Sequence, residues 1–195
     1  MLLSSILNHI DDMSRRVEAL DAFVAEQMQE VSAAIDALCQ IPGISTTGAQ
    51  IIIAEIGTEM SRFPSAAHLC SWAGVCPGNR ESAGKRGSGK TNQGNQTLKS
   101  TLANCSKSVS RTNTFFAAQY QRLSARRGKN RASVAVAHSM LIAVYHVLQG
   151  ADYQELGADH YNRFNRDRKI NSHLRKLREL GWTPDGPVEV PGPAW

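Results

Sequence analysis

The chain has 195 residues, of which 42% are hydrophobic, and a formal net charge of +5, which allows one or two domains with a buried core. It contains no apolar run of about 18 residues, and its N-terminus lacks the basic start and apolar centre of a signal peptide. We therefore expect a cytoplasmic protein with no membrane partner. The four cysteines have no C-x-x-C spacing, which predicts reduced thiols and no metal site in this chain.

An apolar stripe marks residues 1–40. Ten steps from Leu3 to Leu38 span 35 residues, a mean of 3.5, and the stripe comprises Leu3, Leu7, Ile10, Met13, Val17, Leu20, Val24, Met28, Val31, Ile35 and Leu38. This period is typical of a coiled coil. We predict one helix of about 36 residues that pairs with a second copy of the chain, as a homodimer or higher homo-oligomer. The alternative is a long helix that packs back on its own domain.

Residues 41–57 indicate a helix-hairpin-helix-like unit. Pro42 and Gly43 end one helix, and Ser45 or Thr46 can cap the next. In such a unit, the glycine lets a phosphate approach the backbone and the amides of the second helix donate to it. Gly43 and Ser45 are therefore candidate DNA contacts. A purely structural hairpin is the alternative, because Pro-Gly turns between helices are common.

Residues 74–95 form a basic, glycine-rich stretch after a short helix predicted over Ala66 to Trp72. The stretch shows no hydrophobic periodicity. Compact domains seldom keep a loop that long unless it is functional or disordered. We call this stretch the basic loop and predict that it is functional.

The rest of the chain predicts helices, with almost no strand signal. Helical patterns begin near Asn95, at Phe115 and at Ala132, and the last of these is the expected core helix. His138 and His146 on that helix are assigned no chemistry, since histidines on apolar helices are more often packed residues. A basic amphipathic segment over 161–180 and a Pro-rich tail over 183–195 follow. The predicted fold is mainly α: the coiled-coil helix, the hairpin unit, and a compact helical domain over 41–182 with the basic loop.

Charge is segregated along the chain. Residues 1–60 hold nine acidic residues and two arginines, a net of −7, whereas residues 80–131 hold twelve Lys/Arg and one acid, a net of +11. Residues 163–179 add a net of +5. The basic residues interleave with Gly, Asn, Ser and Thr, which predicts a nucleic-acid partner; two solvated basic faces are the alternative. The candidate DNA contacts in these segments are Lys85, Arg86, Lys90, Asn95, Lys99, Lys107, Arg111, Arg126, Arg127 and Lys129.

Three motifs occur in order: "IPGISTTGAQIIIAEIG", "FPSAAHLCSWAGVCPGNRESAGKRGSGKTNQGNQTLKSTL" and, after the core helix, "YQELGADHY". Together they resemble the C-terminal half of insertion-sequence transposases of the IS one-ten / IS eleven-eleven family, which includes the pilin-gene invertase. The resemblance covers residues 35–182, and its most specific block runs from Pro77 to Leu102.

The resemblance implies a transposase domain with a serine nucleophile, joined through a coiled coil to an RNase H-like nuclease domain whose acids bind magnesium. For several members it also implies a bridge-type guide RNA that pairs with DNA. The family's serine falls on Ser82, and its Gly-Asn falls on Gly94 and Asn95. Its basic and glycine positions between them fall on Lys85, Arg86, Gly87 and Gly89. Two departures are Ala83, which is consistent with the IS eleven-eleven branch, and Lys99, where the family often carries arginine.

The nuclease-like domain has no counterpart in this sequence. We therefore expect a fragment or a truncated copy with little or no activity alone, no cofactor of its own, and a location at the nucleoid. Magnesium would belong to the nuclease-like domain.

A serine at this place makes chemical sense for strand transfer. Its hydroxyl would attack a scissile phosphate and form a phosphoserine link, which a DNA hydroxyl later reverses. Lys85, Arg86 and Lys90 could stabilise the charge that develops on the phosphate. The basic loop offers no general base in its own sequence. Ser88 is the second candidate, and the alternative for Ser82 is a turn serine in a phosphate-binding loop.

Three functions remain open from the sequence. The first is a DNA recombinase domain with Ser82 as nucleophile. The second is a non-catalytic module for nucleic-acid binding and dimerisation. The third is a helix-hairpin-helix repair factor, which would bind branched DNA without the basic loop.

Overall fold

A computed structural model of the chain describes residues 2–76, 81–82, 85–86, 91–163 and 166–182, and they are mainly α-helical. The Pro-rich tail predicted over 183–195 lies outside them. Two-residue strands, β1 (Glu81–Ser82) and β2 (Lys85–Arg86), pair antiparallel in the basic loop. The helices are α1 (Leu2–Gln27), α2 (Ser32–Cys39), α3 (Thr46–Ile56), α4 (Ala66–Trp72), α5 (Gln96–Val109), α6 (Phe115–Arg127), α7 (Lys129–Leu148), α8 (His160–Arg163) and α9 (Arg166–Glu179).

The N-terminal segment forms two helices, not the single helix of about 36 residues that the stripe predicts. α1 ends at Gln27, a 3-10 turn covers Gln29–Val31, and α2 begins at Ser32. The stripe divides at this break. Its first part lies on the surface of α1, which has no buried residue, whereas Ile35 and Leu38 of α2 are buried in the core. The 3.5-residue repeat therefore joined two helices that have different surroundings; pairing of α1 with a second copy stays a prediction.

The core is built around α7, as predicted for the most apolar helix. Val136, Met140 and Val144 are fully buried on it, and α7 packs against α2, α4, α5 and α6. Among the described helices, α7 is the one that is long and apolar enough to cross a bilayer, but half of its apolar window is buried inside the protein. Packing against four helices explains its apolar composition, because a central helix must bury most of its surface.

Gly43 lets the hairpin before α3 approach α5 closely. A Cβ on Gly43 would lie 2.8 Å from Val109 Cβ, whereas one on Gly48 would make an ordinary contact, 3.5 Å from Cys105 Sγ. Leu98 and Leu102 of α5 are fully buried behind this contact. The "IPGIS" hairpin is therefore part of the core packing, whatever else it binds.

The segment after α7 is fastened to α6 by one carboxylate. Glu155 Oε1 accepts hydrogen bonds from the backbone amides of Phe115 (2.6 Å) and Gly157 (2.8 Å). Its Oε2 accepts one from the Tyr153 hydroxyl at 2.8 Å. Because Phe115 is the first residue of α6, the negative charge also lies favourably at a helix N-terminus. This arrangement holds the segment 151–159 against the core.

Candidate nucleic-acid interface

The basic loop leaves and re-enters the helical core at one point. α4 ends in a Schellman-type turn, in which the Val75 amide donates to the Cys70 carbonyl at 3.1 Å and Gly74 takes φ +73°. Gly94 takes φ +54°, and a Cβ on it would lie 2.4 Å from the Gly74 nitrogen. The two glycines form a crossing of bare backbone, which we call the loop neck.

Asn95 fixes the chain directly after the loop neck. Its Oδ1 accepts a hydrogen bond from the Leu98 amide at 2.9 Å, which caps α5, and its Nδ2 donates to Glu55 Oε2 of α3 at 2.6 Å. The second bond is charge-assisted, since its acceptor is a carboxylate. Asn95 thus has a structural role in the fold, and its predicted contact with DNA stays a prediction.

Lys99 fastens the end of the basic loop to α5. Its Nζ donates to Thr91 Oγ1 at 2.7 Å and to the Asn92 carbonyl oxygen at 3.2 Å. An ammonium has three donor hydrogens, so these two bonds leave one for an external acceptor. The positive charge of Lys99 therefore lies at the loop neck and remains able to meet a phosphate.

The short hairpin places the nucleophile candidate opposite a cationic residue. In the β1–β2 pairing, Ser82 is the partner of Lys85 and Glu81 is the partner of Arg86. The sequence alone had predicted only that these cations follow three and four residues after the serine. Ser88 and Lys90 lie outside the described residues.

A histidine reaches the N-terminal end of the basic loop from α7. His138 Nδ1 lies 3.8 Å from Cys76 Sγ, and the His138 carbonyl oxygen lies 3.8 Å from Cys70 Sγ. Burial lowers the pKa of His138 and raises the pKa of Cys76, and burial together with the neighbouring Cys76 raises the pKa of Cys70 to about 12. At neutral pH the imidazole is therefore an uncharged proton acceptor beside the protonated Cys76 thiol, while the protonated Cys70 thiol lies against the His138 backbone.

The hairpin before α3 joins a shallow cavity. Ser45 Oγ accepts a hydrogen bond from the Gly48 amide at 3.2 Å and caps α3, so the sequence-predicted cap is confirmed. Gly43 has φ +91° and faces α5, which gives its bare backbone a packing role. Beside it opens a cavity of about 290 Å³, lined by Gly43, Ser45, Thr47, Gly48, Ile51, Thr101, Asn104, Cys105 and Ser108. Contact of Gly43 and Ser45 with DNA stays a prediction.

The remaining candidate cations are exposed and have no ion-pair partner among the described residues. Lys107 and Arg111 lie at the C-terminal end of α5, and Arg126, Arg127 and Lys129 surround the α6–α7 junction. The ion pairs of Arg15, Arg16 and Arg175 with nearby acids involve none of them. The field of the candidate cations is therefore not neutralised by the described part of the fold.

A metal site does not fit the donors that the structure describes. Within those ranges, no group of three or more His, Cys, Asp or Glu side chains lies close enough together to hold an ion. Magnesium needs several oxygen ligands in octahedral geometry, which scattered carboxylates cannot supply.

Comparison with known protein families identifies the region that contains the basic loop. Residues 35–121 match the model of the Transposase IS116/IS110/IS902 family. This region is an IS110-family transposase region. It runs from within α2 into α6 and includes Glu55, Ser82, Asn95 and Lys99, whereas Arg126, Arg127, Lys129 and α7–α9 lie beyond it. No curated protein and no solved structure matches the chain.

Sequence reasoning missed three contacts of the basic loop, those made by Glu55, Thr91 and His138. Glu55 is 40 residues from Asn95, and His138 is 62 residues from Cys76, so no local pattern connects them. Thr91 is closer in sequence, eight residues before Lys99. The basic loop shows no periodicity, however, from which this contact could be inferred.

Proposed function

We propose that this chain is the DNA-binding and strand-transfer part of a transposase, with Ser82 as the nucleophile. The transposase region at residues 35–121 supports a role in transposition. The observation that carries the finer proposal is the hairpin register, which pairs Ser82 with Lys85 in a loop anchored at a glycine neck.

The proposed reaction conserves the phosphodiester energy. Ser82 Oγ attacks the scissile phosphorus, a serine–phosphate bond forms, and the P–O bond to the DNA leaving group breaks. The serine proton passes to a base of the nuclease-like domain that the resemblance implies, since the basic loop offers none in its sequence, and the leaving oxygen gains a proton. A hydroxyl of the target DNA then gives its proton to that base and attacks the same phosphorus. The bond from phosphorus to Ser82 Oγ breaks, and the serine oxygen regains a proton. Lys85, Arg86 and Lys90 stabilise the charge on the phosphoryl oxygens in both steps.

The other binding partners that we propose, DNA, a guide RNA and a second copy of the chain, follow from what the family resemblance implies. DNA binds Lys99, the exposed cations from Lys107 to Lys129 and the hairpin at Gly43 and Ser45, while a bridge-type guide RNA selects the sequences. Two or more copies pair through α1 in the cytoplasm, at the nucleoid. No step passes through a metal in this chain; magnesium belongs to the nuclease-like domain that the family implies.

The test replaces each candidate serine in turn. Ser82→Ala, placed in the chain joined to a nuclease-like domain of the same family, is expected to abolish excision of the element and any covalent protein–DNA adduct. Its affinity for DNA should be unchanged. Ser88→Ala is the matched control and should retain excision. Undiminished excision by Ser82→Ala would rule out Ser82 as the nucleophile.

A second candidate is a module that binds nucleic acid and dimerises without catalysis. The cations without ion-pair partners and the exposed apolar stripe of α1 favour it. It predicts salt-dependent DNA binding by the wild-type chain and no covalent adduct under conditions in which the element is excised.

A further inference from the structure

The last described helix carries cations that the transposase region does not include. The sequence of α9 holds six Lys/Arg and two acids, and Arg175, Lys176 and Arg178 are exposed on it. One ion pair is described on this helix, between Arg175 Nε and Glu179 Oε1 at 3.8 Å, with both side chains largely in solvent. Such a surface pair contributes little free energy, so it does not prevent Arg175 from meeting another anion.

Aromatic contacts hold α8, the helix that precedes α9 in the chain, against α6. The Tyr161 ring of α8 stacks on Phe115 of α6, with centroids 5.3 Å apart and planes at 20°. Arg122 Cζ lies 4.9 Å from the centroid of the same Tyr161 ring, and His160 meets Phe115 edge-on at 5.1 Å. Stacking and cation–π contacts of this kind fix the position of α8 on the core.

The apolar stripe of α9 is covered only in its first part. Ile170 and Leu174 are half-buried, whereas Leu177 is 38% exposed and Leu180, directly after the helix, is 83% exposed. Arg175, Lys176 and Arg178, away from the stripe, are exposed as well. α9 nevertheless makes no extensive contact with another described helix. A helix that partly covers its apolar stripe and offers its cations to solvent suits an anionic partner better than an apolar one.

We propose that α9 is a second DNA-binding element, which holds the phosphodiester backbone of duplex DNA through Arg175, Lys176 and Arg178. The proposal rests on the DNA-binding part of the proposed function, not on Ser82. At about 21 Å in length, a helix of this size can follow the groove across several base pairs. Its cations lie outside residues 35–121, so DNA would contact the protein beyond the transposase region.

Duplex DNA is favoured over a lipid surface by the composition of the exposed face. A basic helix that binds membranes inserts a continuous apolar face, but Ile170 and Leu174 are half-buried, which leaves only Leu177 and Leu180 of the stripe exposed beside three exposed cations. The segregated charge elsewhere in the chain, a net of +11 over residues 80–131, adds cations that would engage the same polyanion.

The experiment compares the full chain with the triple variant Arg175→Gln, Lys176→Gln and Arg178→Gln. Loss of about three phosphate contacts should weaken binding to a duplex of about 30 base pairs on the order of 100-fold at about 0.15 M salt, and should reduce the slope of log K against log salt by about 2 to 3. Glutamine keeps helix propensity and removes charge, so α9 itself should persist by circular dichroism. The control is Arg15→Gln with Arg16→Gln on α1, which should leave both quantities unchanged.

Three outcomes would overturn the proposal. Unchanged affinity and salt slope in the triple variant would show that α9 does not bind DNA. A loss confined to single-stranded or duplex RNA would assign the helix to a different nucleic acid, and a loss confined to phosphatidylserine vesicles would assign it to membranes. Ser82→Ala, tested beside it, separates this proposal from the catalytic one, because it should retain full DNA affinity whether or not Ser82 is the nucleophile.

Discussion

At the scale of single residues, Gly94 has the most constrained position among the glycines that the structure describes. Its φ is +54°, and a Cβ would lie 2.4 Å from backbone atoms of Ala73 and Gly74. Backbone cannot yield as the end of a flexible side chain can, so Gly94→Ala must open the loop neck. We expect a loss of about 3 kcal/mol or more in the free energy of unfolding, measured in urea.

Gly150→Ala is the matched control for this substitution. Gly150 has φ +94°, but a Cβ on it would meet nothing within 4 Å, so only the backbone strain of about 1 kcal/mol applies. Equal losses in the two variants would contradict the close backbone crossing at the loop neck.

The bond between Glu55 and Asn95 predicts a graded response to substitution. Glu55→Ala removes a 2.6 Å charge-assisted bond and should cost about 1 to 2 kcal/mol of unfolding free energy, whereas Glu55→Gln keeps an acceptor and should recover part of it. Hydrogen exchange at the amides of Leu98 and Lys99 should speed up in Glu55→Ala, because the α5 cap loses its orientation. If the glutamine variant behaves like the alanine variant, the carboxylate acts through something other than this bond.

His138 should make stability depend on pH below neutrality. Burial lowers its pKa in the fold from the usual 6.5, so the unfolded chain takes up the proton first as pH falls. Its stabilising contribution is present above about pH 6.5 and is lost as pH falls through the lowered pKa. Urea unfolding at about pH 7.5 and about pH 5 should therefore show a smaller loss in His138→Gln than in the wild type. His146→Gln, at an exposed position of the same helix, should keep the wild-type loss.

At the scale of elements, α1 exposes an apolar stripe that the rest of the described chain does not cover. Leu3, Ile10, Val17 and Leu20 are each at least half exposed. β-Branched and leucine side chains at heptad spacing are typical of paired helices. Val17→Lys should therefore shift the sedimentation of the chain toward the monomer.

Ala22→Lys provides the control, since it adds the same charge to the same helix away from the stripe. Both positions are exposed in the single chain, so neither substitution should change the fold of one copy. A wild-type chain that sediments as a monomer, or equal effects of the two lysines, would contradict pairing through α1.

At the scale of the whole molecule, the core should fold without α1. No residue of α1 is buried, and the core begins with Ile35 of α2. Removal of residues 1–27 should leave the unfolding free energy of the remainder within about 1 kcal/mol of the full chain, measured at a concentration where the full chain is monomeric. A large loss of stability would mean that α1 packs on its own domain.

The sequence alone determined the features that depend on neighbouring residues. The hydroxyl cap at Ser45, the bounds of α4 and the core position of α7 were predicted correctly, because caps and helical periodicity are local chemistry. The motifs also predicted a transposase resemblance, which the family match confirmed for residues 35–121. The prediction of one continuous N-terminal helix was wrong, because a single apolar repeat can run through two helices when tertiary contacts bury the second one.

Only the tertiary structure decided how the basic loop is held. The crossing of Gly74 and Gly94, the bond from Asn95 to Glu55, and the approach of His138 to Cys76 join positions far apart in the chain. Neither secondary-structure propensity nor hydrophobic periodicity predicts such contacts, because they form only when helices pack and bring distant segments together. The sequence therefore identified a loop with a serine and cations. Only the tertiary structure showed the loop neck at Gly74 and Gly94, the bond from Asn95 to Glu55 and the neutral histidine at the N-terminal end of the loop.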